Sequence, residues 1–301
     1  GLHRTERGGG RIMYELENAK ARQHKKIAHA IMWIILLILF IAFIFPFAIA
    51  LLNVFKANAD INRFPLSFVG PRKGFVLSNF PTAMSKMHFW RVFGNSAVIT
   101  ISATILTLLF SGMAAFVITR NNYKACKILY AAMIASMVIP FQVLMIPIVS
   151  IYGGTLNVLN YRLTLILMHT GFSVSMATFM YNGAIHTNIP LELEEAALID
   201  GCTRWQTYWK VVYPLLGPTT ATVAIIDAMA FWNDYLLPSL ILTKQDLYTI
   251  PIATQMFYGS YASDMGCILA ALILAMLPIL ILYLVMQKFI VEGVTSGAVK
   301  G

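Results

Sequence analysis

Two titratable side chains interrupt apolar stretches of the sequence. Asp227 lies within residues 218–242, and His169 lies within residues 163–185. An ionisable group inside an apolar stretch of membrane length is costly, so it usually faces a cavity or a partner, and it can relay protons or couple transport to an ion. A hydrogen bond to a neighbouring helix explains the same residues. Both interpretations stay open for Asp227 and His169.

Aromatic and hydrogen-bonding side chains cluster toward the end of the same stretch. Trp232, Asn233 and Tyr235 combine flat apolar rings with polar groups, which is the chemistry that a sugar ring requires. An aromatic belt at the membrane interface has the same composition. Gln142 lies in another apolar stretch, between two prolines that should kink the helix and free backbone groups. The candidate substrate path therefore consists of Gln142, Asp227, Trp232, Asn233 and Tyr235.

No nucleotide-binding or catalytic motif accompanies these groups. The sequence lacks a GxxxxGKS/T phosphate loop, an HExxH metal motif, a GxSxG nucleophile motif and paired catalytic acids. The three cysteines are scattered, a pattern that indicates neither a disulfide nor a metal site. We therefore expect no catalytic residue, no metal and no cofactor bound by this chain. The sequence predicts a protein that is not an enzyme and that performs conformational work.

Membrane spans are the elements that must position these groups. The 301 residues are 58% hydrophobic and 12% charged, whereas a soluble domain has about 25% charged residues. A helix of about 20 apolar residues crosses a bilayer. Six stretches qualify: residues 27–52, 92–119, 128–151, 163–185, 218–242 and 265–287. The predicted fold class is an all-α polytopic membrane protein with about six transmembrane helices.

The distribution of Lys and Arg predicts the orientation of these spans. Basic residues are concentrated before the first span, in two inner loops and after the last span, and short cytoplasmic segments are enriched in Lys and Arg. We expect a cytoplasmic tail at residues 1–26, a transmembrane domain at residues 27–290 and a cytoplasmic tail at residues 291–301. No cleavable signal peptide is expected, because the first apolar run is too long and lacks a small-residue cleavage site.

The inner loop at residues 186–217 contains the most specific pattern in the sequence. Pro190 and Gly201 bracket a short acidic helix of about eleven residues, because proline suits a first turn and glycine suits a left-handed helix end. Ala196 and Ala197 remove side-chain bulk, so another protein could approach this helix closely. A docking surface and a plain solvated loop both fit the pattern.

A second helix should follow at once. Thr203 and Gln206 have the spacing of a capping box, and Pro214 should end the helix. An aromatic stripe should lie on one side and face lipid or neighbouring spans. The residues of this stripe are Trp205, Tyr208, Trp209 and Val212.

This loop resembles the EAA motif in permease subunits of bacterial ABC importers. That motif reads EAA, three residues, Gly, nine residues, then I-x-L-P. Residues 195–197 read Glu-Ala-Ala, Gly201 and Pro214 follow at the required spacing, and Val211 and Tyr213 replace Ile and Leu. In the family, the loop forms a coupling helix that sits in a cleft of the ATPase subunit and transmits its closure. The resemblance implies that the ATPase-coupling residues are Glu194, Glu195, Ala196, Ala197, Asp200 and Gly201.

The resemblance extends over nearly the whole chain. Residues 188–201 are similar to the corresponding segment of permeases in the carbohydrate-uptake branch, particularly the second permease of maltose-type and multiple-sugar importers. Asp234 and Met265 depart from the family pattern, where Glu and Trp are common. Four other segments also resemble characteristic segments of the family: residues 93–96, 232–235, 264–266 and 287–301.

The resemblance implies the type I ABC importer permease fold in a bacterial or archaeal cytoplasmic membrane. The chain would translocate a sugar or oligosaccharide by alternating access, coupled to a separate ATPase through residues 190–201. The implied partners are a second homologous permease, two ATPase subunits that hold ATP and Mg²⁺, an extracytoplasmic substrate-binding protein and the lipid bilayer; nucleic acid is not expected. The alternatives are a permease for a non-sugar solute and an ion-coupled secondary transporter that uses Asp227 or His169.

Overall fold

A computed structural model describes the backbone of residues 5–260 and 264–298, and the side chains of residues 25–255 and 264–285. The described residues include two π-helical segments, Val149–Thr155 and Tyr208–Val212, and a 3-10 turn at Gln245–Leu247. The α-helices, in chain order, are α1 (Thr5–Asn53), α2 (Asn58–Arg63), α3 (Asn79–Lys86), α4 (Phe89–Arg120), α5 (Lys124–Ser136), α6 (Phe141–Ile148), α7 (Arg162–Asn188), α8 (Leu191–Ile199), α9 (Arg204–Thr207), α10 (Tyr213–Leu215), α11 (Gly217–Asn233), α12 (Leu236–Ile241), α13 (Ile250–Ser260) and α14 (Met265–Ala298).

The predicted all-α membrane fold is confirmed. Within the described side chains, four helices are long and apolar enough to cross a membrane: α1 from Lys25 onward, α4, α7 and α14 up to Val285. Two bent pairs raise the number to six. One pair consists of α5 and of α6 with the π-helical segment after it, which ends at Thr155, and its bend is 97°. The other pair consists of the helical run from α9 to α10 and of α11, and its bend is 76°.

Two predicted spans are not the continuous helices that their hydropathy suggests. The third, predicted at residues 128–151, is interrupted between α5 and α6, where Pro140 takes an extended conformation at the start of α6. The fifth, predicted at residues 218–242, ends at Asn233, because Asp234 is extended and α12 is a separate short helix. Proline disfavours a helical conformation in the residue before it, which explains the first interruption.

Residues 1–76 form one compact unit. After α1, the chain folds tightly around the buried Lys56 side chain. Its ammonium donates to Asn53 Oδ1 at 3.1 Å and to the Phe64 carbonyl at 3.0 Å. Burial lowers the pKa of Lys56, and the nearby Asp60 carboxylate opposes that shift. The hydrogen bonds of Lys56 therefore fix the conformation of the segment that follows the first span.

Residues 77–301 form the second unit. In this unit α4 packs against α7 and α11, and α14 packs against α11 and α3. One apolar cluster joins the ends of α4, α7 and α11 that lie near α12, and it includes Ile99, Leu165, Phe231 and Ile241. A second cluster lies at the opposite ends of these helices and includes Ala115, Tyr181, Tyr208, Val212 and Leu216. The inner loop therefore belongs to the second core.

Candidate functional site

The acidic helix of the inner loop begins and ends close to the predicted residues. α8 covers nine residues after Pro190, which is its extended N-cap. Gly201 has a φ of +85°, a left-handed conformation that costs a residue with a Cβ atom roughly 1–2 kcal/mol. The Cys202 N–H donates to the Ala197 carbonyl at 2.9 Å, as in a Schellman-type helix end. The left-handed backbone, and not a lack of space, therefore favours glycine here, since nothing lies within 4 Å of its missing Cβ.

The capping box of the second helix is present in the structure. The Gln206 N–H donates to Thr203 Oγ1 at 3.3 Å, and the Thr203 N–H donates to Gln206 Oε1 at 2.8 Å. The N–H groups of the N-cap residue and of the third helical residue are both satisfied in this way. The sequence pattern therefore located the start of α9 correctly.

The predicted aromatic stripe is present in part. The rings of Trp205 and Tyr208 both contact Trp209, with centroids 5.7 Å and 4.9 Å apart, but residues 208–212 form a π-helix, whose wider turn changes which residues share a face. Trp205 is 62% exposed, whereas Tyr208 and Val212 are buried. Pro214 lies in α10, and the helical run that begins at Arg204 ends at Leu215, one residue after the predicted end.

Glu194 is held by an arginine from the end of a membrane span. Arg120 Nε donates to Glu194 Oε1 at 2.7 Å, and Arg120 Nη2 donates to the Ile189 carbonyl at 2.8 Å. The two side chains are only 16% and 8% exposed, so the pair is well shielded from water, and charge-assisted hydrogen bonds of this kind are strong. Glu194 therefore attaches α8 to α4. The Lys and Arg pattern that predicts the membrane orientation includes Arg120 but does not indicate this role.

The six predicted coupling residues divide between the two sides of α8. Glu194 and Ala197 are buried, and the exposed ones are Glu195, Ala196, Asp200 and Gly201. Ile199 is 86% exposed, the highest value among the described large hydrophobic side chains. Together with Leu193 and Ala196 it forms an apolar strip at helical spacing on the exposed side. Ile199 was not among the predicted coupling residues. The signal that could have indicated it is an apolar side chain directly before the acidic Asp200.

A cavity of about 270 Å³ is lined by residues of α8, of α9 and of the end of α4. Its lining combines charged and aromatic side chains: Phe116, Arg120, Glu194, Glu195, Arg204 and Trp205. The Arg204 guanidinium also donates to Asn121 Oδ1 at 3.4 Å across its mouth. Polar groups thus connect α8 and α9 to α4 around a space that leaves room for movement.

Tyr208 of the π-helical segment packs closely against α4. A Cβ atom added to Gly112 would lie 2.6 Å from Tyr208 Oη, so a larger residue at that position of α4 would require the Tyr208 side chain to shift. The ring of Tyr208 packs on Phe116, with centroids 5.2 Å apart. The inner loop is therefore fitted against the second membrane span at two places, the Arg120 ion pair and the Gly112 contact.

A polar seam joins α7 to α11 and its C-cap. The hydroxyl of Tyr181 donates to Thr220 Oγ1 at 2.9 Å, and Nδ1 of His169 lies 3.9 Å from an oxygen of Asp234. Ser173 Oγ donates to Asp227 Oδ1 between these two contacts. The seam thus consists of three side-chain pairs: His169 with Asp234, Ser173 with Asp227, and Tyr181 with Thr220. Helices of a membrane protein associate through such interhelical hydrogen bonds, and Asp227 fits the interpretation of a carboxylate bonded to a neighbouring helix.

The structure places three candidate path residues at the break between α11 and α12. Trp232 is buried against Phe93, with ring centroids 5.7 Å apart. The exposed Asn233 amide donates to a backbone carbonyl one turn earlier, and Tyr235 is also exposed. Asp227 lies deeper in α11, and Gln142 is exposed on a different element, α6. Asp234 Oδ1 accepts from the Leu236 N–H at 3.0 Å, which stabilises the break.

The described residues contain no group of three His, Cys, Asp or Glu side chains that could hold a metal ion. Nine buried polar side-chain atoms in the same part of the chain have no hydrogen-bond partner, and they include Asp227 Oδ2, His169 Nε2 and Trp232 Nε1. These three atoms come from the seam and from the adjacent break. The arrangement can align helices and can present polar groups at the break.

Comparisons with known proteins match this architecture. A family model described as "Binding-protein-dependent transport system inner membrane component" matches residues 107–296. The "Probable starch degradation products transport system permease protein AmyC" of Thermoanaerobacterium thermosulfurigenes is 38% identical over 88% of this chain and 94% of its own length. The "Multiple sugar-binding transport system permease protein MsmG" of Streptococcus mutans is 34% identical over 93% of this chain and 100% of its own length.

A third relative and one solved structure extend the comparison. The "Melibiose/raffinose/stachyose import permease protein MelC" of Bacillus subtilis is 33% identical over 85% of this chain and 91% of its own length. A chain in the crystal structure of a bacterial alginate ABC transporter, in complex with an alginate pentasaccharide-bound periplasmic protein, gives a TM-score of 0.60 at 16% identity. The match covers 87% of this chain and 91% of that chain, and at this identity it shows a shared fold.

Proposed function

Because this chain belongs to the family of inner-membrane components of binding-protein-dependent transport systems, we propose that it is a permease subunit of an ABC importer for sugars or oligosaccharides. It is a multi-pass protein of the cytoplasmic membrane, and its described helices include up to six spans. Transport by alternating access is the function, and the chain itself has a non-catalytic role.

The inner loop supports coupling to a separate ATPase. α8 exposes a narrow apolar strip bordered by Glu195 and Asp200, and its end is set by the left-handed Gly201. Its other side is attached to α4 through Glu194 and Arg120. A helix with one free side and one firmly attached side can receive a push from a partner and pass it to the spans. This is the observation that carries the proposed coupling.

The substrate class rests on the relatives. The names of the three reported relatives describe the transport of starch degradation products, of multiple sugars, and of melibiose, raffinose and stachyose. Sequence identities of 33–38% over most of both chains support a sugar or an oligosaccharide as the cargo here. Asn233 and Tyr235, exposed at the break between α11 and α12, are the side chains that we expect to meet it, and Gln142, Asp227 and Trp232 complete the proposed path.

The proposed assembly contains four kinds of subunit. This chain pairs with a second homologous permease, two ATPase subunits bind ATP and Mg²⁺, and an extracytoplasmic binding protein delivers the sugar. Closure of the ATPase dimer displaces α8. The displacement reaches α4 through the Arg120 ion pair and the Gly112 contact, and it reaches α7 and α11 through the chain on either side of the loop. The polar seam keeps these two helices together as they move.

Reconstituted transport tests the proposal. The complex is placed in proteoliposomes with its binding protein, and uptake of labelled maltotriose, raffinose and glutamine is measured with and without ATP at the ATPase side. We expect uptake of an oligosaccharide that requires both ATP and the binding protein. Uptake of glutamine alone would indicate a non-sugar importer. Uptake that continues without ATP hydrolysis and stops with an ionophore would indicate an ion-coupled transporter and contradict the proposal.

A further inference from the structure

Residues 63–75, here called the aromatic-basic loop, expose large apolar side chains directly after the first span. Leu66 is 69% exposed and Phe68 is 72% exposed, and Phe64 and Phe75 are exposed as well. The rings of Phe68 and Phe75 contact each other edge to face, with centroids 6.0 Å apart. A contiguous apolar patch of this kind marks a contact with a membrane or with another protein.

The backbone of the aromatic-basic loop is fixed from beneath. The buried Lys56 ammonium donates to the carbonyls of Phe64 at 3.0 Å and Pro65 at 3.4 Å. The Lys73 N–H donates to Asp60 Oδ2 at 3.3 Å. Because these bonds hold both ends of the loop, its apolar side chains are presented outward on a defined frame.

Only one sign of charge is exposed around this patch. Arg63, Arg72 and Lys73 are exposed, and Asp60 is the only acidic residue between residues 54 and 76. Asp60 is fully buried, so its carboxylate does not reach the surface of the loop. The surface therefore combines aromatic side chains with uncompensated cations, a combination that complements the phosphates and acyl chains of lipids.

The first span brings this surface to the membrane boundary. Its apolar helix, Lys25–Asn53, has 29 residues, and none of the 18 residues in its most apolar segment is buried. At 1.5 Å per residue this helix is about 43 Å long, which exceeds the roughly 30 Å of a hydrocarbon core. Its end therefore lies in the headgroup layer, and the aromatic-basic loop begins ten residues later in the same compact unit.

We propose that the aromatic-basic loop is a lipid-binding surface for the outer leaflet. Phe64, Leu66, Phe68 and Phe75 insert at the boundary between headgroups and acyl chains, at a depth of roughly 5–10 Å. Arg63, Arg72 and Lys73 bind the phosphates of anionic phospholipids. The assignment to the outer leaflet follows from the cytoplasmic N-terminus that the Lys and Arg distribution predicts. The lipid contact does not depend on which solute is transported.

Depth-dependent fluorescence quenching tests the proposal in the intact complex. The three native cysteines are replaced by alanine, and Leu66→Cys is labelled with an environment-sensitive fluorophore. The complex is placed in nanodiscs of phosphatidylglycerol and phosphatidylcholine that contain a lipid with a nitroxide near the top of its acyl chain. Gln245→Cys, an exposed position in another outer loop, is the matched control.

We expect the lipid nitroxide to quench the label at position 66 strongly and the label at position 245 weakly, with aqueous iodide giving the reverse order. The surface variant Arg63→Gln/Arg72→Gln/Lys73→Gln should reduce quenching in anionic nanodiscs to the level seen in pure phosphatidylcholine. Iodide quenching at position 66 equal to that at position 245 would overturn the proposal. Shielding that appears only after the binding protein is added would assign the surface to a protein partner and also overturn it.

Discussion

Arg120 at the end of α4 and Glu194 in the middle of α8 share a hydrogen bond of 2.7 Å, although 74 residues separate them in the chain. The pair lies between a membrane span and the helix that we propose as the contact with the ATPase. Because both side chains are largely shielded from water, the pair determines how α8 is oriented on α4.

Replacing Arg120 should uncouple ATP hydrolysis from transport. Arg120→Met leaves the Glu194 carboxylate shielded and unpaired, and breaking a buried pair in this way costs roughly 3–5 kcal/mol; the residual exposure of these side chains favours the lower end. We expect uptake to fall at least about tenfold, the equivalent of about 1.4 kcal/mol, while ATP hydrolysis by the complex persists. Lys124→Met, at an exposed position of α5, is the control. Uptake equal to that of the control would show that the pair is not needed for coupling.

Substitutions of Gly201 can distinguish backbone strain from steric crowding by an added side chain. Gly201→Val places a β-branched residue at φ +85°, at a cost of at least roughly 1–2 kcal/mol. Gly201→Asn places a residue there that tolerates the left-handed region. Since nothing obstructs a side chain at this position, we expect Val to abolish uptake and Asn to retain most of it, with both variants inserted normally. Equal uptake by the two variants would be inconsistent with a conformational role for this glycine.

How far the sequence predicts this site depends on the range of the interaction. The capping box of Thr203 and Gln206 and the left-handed Gly201 were predictable, because each depends on residues within one turn. The Arg120–Glu194 pair was not, since it joins residues far apart in the chain. The π-helix after Thr207 was also unpredicted, and its wider turn buries Tyr208 while leaving Trp205 exposed.

The membrane spans show the same division. Hydropathy indicated the four continuous spans α1, α4, α7 and α14, because the requirement for length and apolarity is a property of the local sequence. It did not reveal that the fifth stretch stops at Asn233, because the break depends on the Asp234 carboxylate accepting from the Leu236 N–H. An apolar window cannot distinguish a continuous helix from two helices joined by a polar cap.

The contact between Gly112 and Tyr208 gives a double-mutant prediction. Gly112→Ala places a methyl group 2.6 Å from Tyr208 Oη, so the ring must move and uptake should fall several-fold. Tyr208→Phe removes a hydroxyl that has no hydrogen-bond partner in the described part of the chain, so it should have little effect. The double variant Gly112→Ala/Tyr208→Phe should recover most of the uptake, a coupling that a double-mutant cycle measures. Additive losses would show that the two residues act independently.

The Ser173–Asp227 hydrogen bond tests the role of the carboxylate inside the fifth span. Asp227→Asn keeps the shape and an acceptor oxygen for Ser173, and it removes a titratable proton. If the residue serves to join α7 and α11, ATP-driven uptake should stay within a few-fold of the wild type. Asp227→Leu removes the acceptor and should reduce the yield of folded protein or the uptake more severely. A complete loss of uptake in Asp227→Asn, with normal insertion, would favour proton or ion coupling.

Site-specific photo-crosslinking from Ile199 is the most direct test of the proposed coupling helix. A photoreactive amino acid at this 86% exposed position is activated in membranes that contain the whole transporter. The control carries the same group at Tyr161, an exposed position in a predicted outer loop. We expect an adduct between position 199 and the ATPase subunit, with a yield that changes when ATP is bound, and no adduct from position 161. Absence of an ATPase adduct at position 199, in a complex that still transports, would contradict the proposed coupling.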